Sequence, residues 1–162
     1  MPLVAVAGTV ALGVGTIHGR SMQPTFNPDT ADWRQPDRVL LEKASVRRAH
    51  YTRGDVYFVT DPREPHRTLV KRLVGLPGDH VQRRPTFRRA DAVVVVPAGH
   101  AWIESDESFH GQDSTTFGPV PLGLFKSRVV WILWPLDRFG PVPYRRYDRS
   151  RIVGKEDLRM VA

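Results

Sequence analysis

The chain has 162 residues, enough for one domain and too few for two ordinary ones. It is 41% hydrophobic and 25% charged, a globular composition, and it has no cysteine, which excludes disulfides, thiolate metal sites and a cysteine nucleophile. The formal net charge is +7 and twenty of the 24 basic residues are arginine, a balance suited to acidic lipid headgroups or acidic proteins, while the lack of any long basic run argues against a nucleic-acid partner.

No charged side chain occurs before Arg20. As a helix, residues 2–18 would span about 25 Å, slightly short of a bilayer's hydrocarbon core. A cleavable signal peptide would need a basic n-region, and a core helix more polar residues than Thr9 and Thr16. Residues 1–19 are therefore predicted to form a short membrane-anchoring helix. Ala7, Ala11 and Gly15 would then share one face at the spacing that lets two membrane helices approach.

After residue 28 the chain reads as short strands divided by turn chemistry: 38–43, 54–60, 68–76, 80–84, 92–97, 100–105 and 127–135. Without intervening helical periods, these predict a mostly β fold, a coiled antiparallel sheet or partly open barrel. Residues 20–135 form the predicted β domain, and 136–162, rich in proline and arginine, a basic surface tail.

Two residues stand out chemically. Ser21, in "GRSMQPTFNP" (19–28), follows directly on the apolar segment. Lys71, in "TLVKRLV" (68–74), is one of four lysines in an arginine-rich chain. Strand alternation puts Leu69, Lys71 and Leu73 on one face, so the amine is flanked by leucines. Desolvation there lowers a lysine pKa, whereas arginine keeps its proton. A neutral amine beside a serine makes the hydroxyl a competent nucleophile. On alternation alone, a solvated or snorkelling edge-strand lysine is the favoured reading.

Four stretches occur in order: "GRSMQPT", "RGDVYFV" (53–59), "VKRLVGLPGD" (70–79) and "SDESFHGQDSTTFGPV" (105–120). Together they closely resemble the sequential boxes of type I signal peptidases, membrane-bound Ser/Lys endopeptidases. "FGPVPLGLFKSRVVWILWP" (117–135) is similar to the mitochondrial inner membrane protease branch, subunit 2 type, rather than to bacterial leader peptidases.

The resemblance implies Ser21 as nucleophile, Lys71 as general base and the Ser21 backbone N–H as oxyanion donor. Arg72, Asp106 and Asp113 fall where the family keeps a basic and two acidic residues that brace the site through ion pairs. Three positions depart from the pattern. Gly19 stands where many members have a serine donor, Gly111 where a serine often orients the lysine, and Thr115 where an arginine is common; Ser108 and Ser114 are candidates for the orienting role.

The implied substrates are precursor proteins with hydrophobic sorting segments, and the implied partners a lipid bilayer and a homologous peptidase subunit. The implied location is the mitochondrial inner membrane, with the catalytic domain in the intermembrane space, or alternatively a bacterial plasma membrane. Charge alone points the other way, because a basic domain after an uncharged N-terminus tends to stay on the uncrossed side.

No cofactor or metal is expected, since the six histidines lack ligand spacing and no phosphate-binding glycine loop occurs. His18 precedes Ser21 by three residues and reads as interfacial rather than as a base. Three rivals remain: a self-cleaving Ser/Lys repressor, a non-catalytic scaffold subunit, and a basic β-barrel that binds RNA or acidic lipid.

Overall fold

The computed structural model describes residues 11–28, 36–84, 92–107, 111–143 and 152–153. Among these, every predicted strand is present. β1 is Leu12–Thr16, β2 Arg38–Glu42, β3 Val56–Thr60, β4 Thr68–Gly75, β5 His80–Gln82 and β6 Val93–Val95. β7 is His100–Glu104, β8 Val120–Pro121, β9 Phe125–Trp134, β10 Gly140–Pro141 and β11 Ile152–Val153. Two helical turns, α1 (Ala44–Arg47) and α2 (Ser114–Phe117), sit in connections.

The main sheet runs β1-β2-β9-β3-β4-β7-β8, with β10 also on β9, and all its pairings are antiparallel. Register shifts in β2–β9 and β3–β9 add local twist and curl the sheet into a half-barrel. A second, three-stranded sheet has the order β11-β5-β6. The mostly β expectation is met.

One expectation is corrected. The predicted membrane helix over 1–19 does not run through residues 12–16, which form β1 paired with β2. Glycines at 13 and 15 each cost a helix about 1 kcal/mol, and Val14 and Thr16 favour extended backbone. Gly15 also lies against the sheet: a Cβ there would sit 2.9 Å from Leu41 Cδ1 and 3.0 Å from Phe58 Cζ. Gly15 therefore shares no helix face with Ala7 and Ala11. Residues 1–10 lie outside the described residues, and among those described no helix is long and apolar enough to cross a membrane.

The tail is corrected too. Gly140–Pro141 pairs with β9 and Ile152–Val153 with β5, so part of 136–162 belongs to the sheets.

One core cluster lies beneath the serine loop, where Ile17, Met22 and Phe26 pack with Val39, Leu41, Val56, Val129 and Ile132. A second joins Tyr57, Val59, Leu73, Ala101, Ile103, Val120 and Phe125. Trp102 is fully buried in the third, while Trp131 and Trp134 are partly exposed.

Candidate active site

The loop that carries Ser21 is set by its apolar neighbours. Met22 and Phe26 are buried four residues apart, and the Phe26 N–H donates to the Met22 carbonyl at 2.9 Å. That turn sinks two side chains into the core and leaves Ser21 half-buried at the surface. Gly19 enters the turn at φ +86°, a left-handed conformation that a side chain strains and glycine adopts freely.

Asn27 closes the loop. Its side-chain amide donates to the carbonyls of Ile17 at 2.9 Å and Gly19 at 3.1 Å, and its side-chain oxygen accepts from the Asp37 N–H at 2.9 Å. Arg138 clamps the arrangement from the far end of the chain. It donates to both Asp37 carboxylate oxygens, at 2.7 and 2.6 Å, and to the Thr25 carbonyl at 2.7 Å. The sequence reading missed this set of Asn27, Asp37 and Arg138. An asparagine between Phe26 and Pro28 was the local hint, because asparagine tolerates positive φ, here 49°.

β4 brings Lys71 to the serine. Nζ lies 3.0 Å from Ser21 Oγ and also donates to the Val70 carbonyl at 3.0 Å. Lys71 is 3% exposed. Burial pushes its amine down to about 8; Arg67 pushes the same way, while the carboxylates of Asp113, Asp106 and Asp61 oppose. Arg67, the residue just before β4, lines the cleft with Ser21 and Lys71.

The brace is also present in part. Arg72 donates to Asp106 through Nε at 2.8 Å and Nη2 at 2.6 Å, a bidentate pair with both partners buried. The Thr25 hydroxyl sits between them, donating to Asp106 at 2.5 Å and accepting from Arg72 at 3.1 Å. Thr25 was not anticipated, yet it ties the serine loop to β4. Asp113 acts differently from the ion pair expected of it. Its carboxylate caps α2, accepting from the Thr115 N–H at 2.9 Å, and accepts from the Ser105 N–H at 2.8 Å.

Ser114 is engaged elsewhere, its hydroxyl accepting from the Ile103 N–H at 3.0 Å, and Ser108 lies outside the described residues. His18 lines the cleft but forms no hydrogen bond to Ser21 among the described residues. No cluster that could hold a metal occurs among them either.

The cleft holds roughly 390 Å³, with Thr16 and His18 on one wall and Leu69, Val70 and Lys71 on the other. A hydroxyl held against a desolvated amine can lose its proton as it attacks a carbonyl. The Ser21 carbonyl accepts from Glu107 at 3.0 Å, while the Ser21 N–H has no acceptor among the described residues and remains available to a developing oxyanion. A base at Lys71 works only as the neutral amine, so with Lys71 in that role the rate should climb about tenfold per pH unit towards pH 8 and then level off. In Arg67→Gln the loss of a neighbouring cation raises the Lys71 pKa, so a pH–rate profile should show that rise displaced to higher pH.

The sequence comparisons assign the class. The signal peptidase, peptidase S26 family model matches residues 1–87, more than half of the chain. The chain belongs to the signal peptidase family, peptidase S26. It is 40% identical over 161 residues to mitochondrial inner membrane protease subunit 2 of Schizosaccharomyces pombe, covering 98% of this chain and 86% of that protein. The subunit 2 protein of Danio rerio is 43% identical over 126 residues, 78% of this chain and 66% of its own length. Mitochondrial inner membrane protease subunit 1 of Homo sapiens is 33% identical over 128 residues, 79% of this chain and 73% of that protein.

Proposed function

We propose that this peptidase is a serine endopeptidase of the mitochondrial inner membrane in which Ser21 is the nucleophile and Lys71 its general base. The observation that carries the reading is the 3.0 Å approach of a buried lysine amine to the Ser21 hydroxyl. In the neutral amine that contact reverses, and Ser21 donates to the Nζ lone pair. Ser21 Oγ attacks the scissile carbonyl, its proton passes to Nζ, and the oxyanion meets the Ser21 N–H. Lys71 then protonates the leaving amine and activates the water that releases the acyl group.

The substrate would lie extended in the cleft. Among the described residues the outer edge of β1 is unpaired, as is residues 68–71 of β4 on the side away from β3. Two free edges offer main-chain hydrogen bonds to a peptide strand and so recognise an unfolded segment. Precursor proteins with hydrophobic sorting segments supply such segments.

Trp131, with Phe139 edge-on at 5.9 Å, and the exposed Trp134, Leu136 and Val14 form an apolar outer face suited to headgroup depth in a bilayer. The relatives are named as subunits 1 and 2, and we assign this chain a homologous peptidase subunit as partner, with its catalytic domain in the intermembrane space.

The test is Ser21→Ala, assembled with its partner in membranes and presented with a sorted precursor. Assembly should persist and cleavage of this subunit's precursors should stop. Retained cleavage would make the chain a scaffold.

A further inference from the structure

Pairing between β4 and β7 sets Arg72 opposite Glu104. Continued by one residue, that antiparallel register puts Ser105 across from Lys71, and directly opposed residues project to the same face. Ser105 is 1% exposed, and its hydroxyl oxygen has no hydrogen-bond partner. Its main chain is held on both sides: the N–H donates to Asp113 at 2.8 Å, and the carbonyl accepts from Arg84 at 3.2 Å. A buried, unsatisfied hydroxyl costs stability, so alanine would suit a purely structural position better.

Position 111 shows what the hydroxyl replaces. A Cβ on Gly111 would lie 1.8 Å from Ser105 Oγ and 2.3 Å from Ser105 Cβ. The volume that a side chain at 111 would fill is taken by the hydroxymethyl group of Ser105. A hydroxyl still reaches this space, from the other side of the loop.

The amine has room for one more partner. A neutral lysine nitrogen carries a lone pair and two N–H bonds. The lone pair faces Ser21 and one N–H is taken by the Val70 carbonyl. With that single anchor, the amine can swivel about its Cε–Nζ bond. A second acceptor fixes the direction of the lone pair.

We propose that Ser105 is a positioning residue, whose hydroxyl accepts the remaining N–H of Lys71 and holds the lone pair on Ser21 during acylation. This rests on the Ser21/Lys71 reading of the site.

The experiment measures kcat, KM, pH dependence and melting temperature for Ser105→Ala in the membrane-assembled protein, on a precursor peptide. We expect kcat to fall about tenfold to a hundredfold with KM unchanged, because a misdirected base is costly at small displacements. The melting temperature should hold or rise, since an orphan hydroxyl has gone. The rise of kcat with pH, which reports the substrate complex where the bond forms, should shift to lower pH, while that of kcat/KM, which reports the free enzyme with its unpaired hydroxyl, should not move.

A double swap, Ser105→Gly with Gly111→Ser, returns a hydroxyl to the same space and should recover most of the kcat lost in Ser105→Gly. Wild-type kcat in Ser105→Ala, a loss that accompanies a lowered melting temperature, or no recovery in the swap would each overturn the proposal. Cleavage that survives Ser21→Ala would instead sink the underlying dyad, so the two failures are distinguishable.

Discussion

In Lys71→Arg, precursor cleavage should fall roughly 10⁴-fold while the chain still folds and joins its partner. Arginine keeps the positive charge but does not lose its proton at any accessible pH, so it cannot take the Ser21 proton. Loss of charge alone is not the issue. Lys71→Met, which fills similar space without a charge, should be equally inactive, and it should be no less stable than wild type. Taking an ammonium into a site that is 3% exposed already opposes folding, as the lowered pKa of about 8 records. Rates compared with melting temperatures for both variants separate lost chemistry from lost structure.

Asp106→Ala should be the most damaging single change to stability, by about 3–5 kcal/mol, because it strands the Arg72 guanidinium in the interior. For a chain of this size that corresponds to a melting temperature lower by roughly 10 °C. Breaking the pair should also reach the chemistry. Thr25 donates to Asp106 and accepts from Arg72, and Thr25 lies four residues from Ser21 on the same turn. A loosened turn lets Ser21 drift from Lys71, so kcat should drop even below the new melting point. Asp106→Asn retains an oxygen acceptor for Arg72 and should lose less on both measures. Thermal melting and steady-state kinetics on the pair of variants check this.

What the sequence made legible follows from the range of the interactions involved. β4 could be read because Leu69, Lys71 and Leu73 alternate with Val70, Arg72 and Val74, a pattern local to six residues. Ser21 and Lys71 could be named from their motif boxes, and Arg72 and Asp106 do meet, as a bidentate pair. The clamp on the serine loop was invisible, because Asp37 and Arg138 are separated by 101 positions and neither lies in a motif. Thr25 closes the "GRSMQPT" stretch but was given no role, because its partners Arg72 and Asp106 lie 47 and 81 positions away.

The misread segment is instructive as well. An uncharged run such as residues 11–17 suits a helix or a buried strand equally by hydropathy. The decision falls to Gly13 and Gly15, which weaken a helix, and to the close seat of Gly15 on Leu41 and Phe58. Asp113 was expected to brace by ion pairing and instead braces by accepting two backbone N–H groups. The charge was foreseeable; the donors were not, since both come from main chain.

The account is tested most directly by trapping the covalent intermediate. Membrane-assembled wild type would be mixed with a precursor peptide above pH 8, quenched in acid within the first turnover, and mapped by mass spectrometry. An acyl adduct equal in mass to the N-terminal product less one water should appear on the peptide that contains Ser21, and it should be absent in Lys71→Arg. Cleavage without any adduct on Ser21, or an equal adduct in Lys71→Arg, would contradict the dyad.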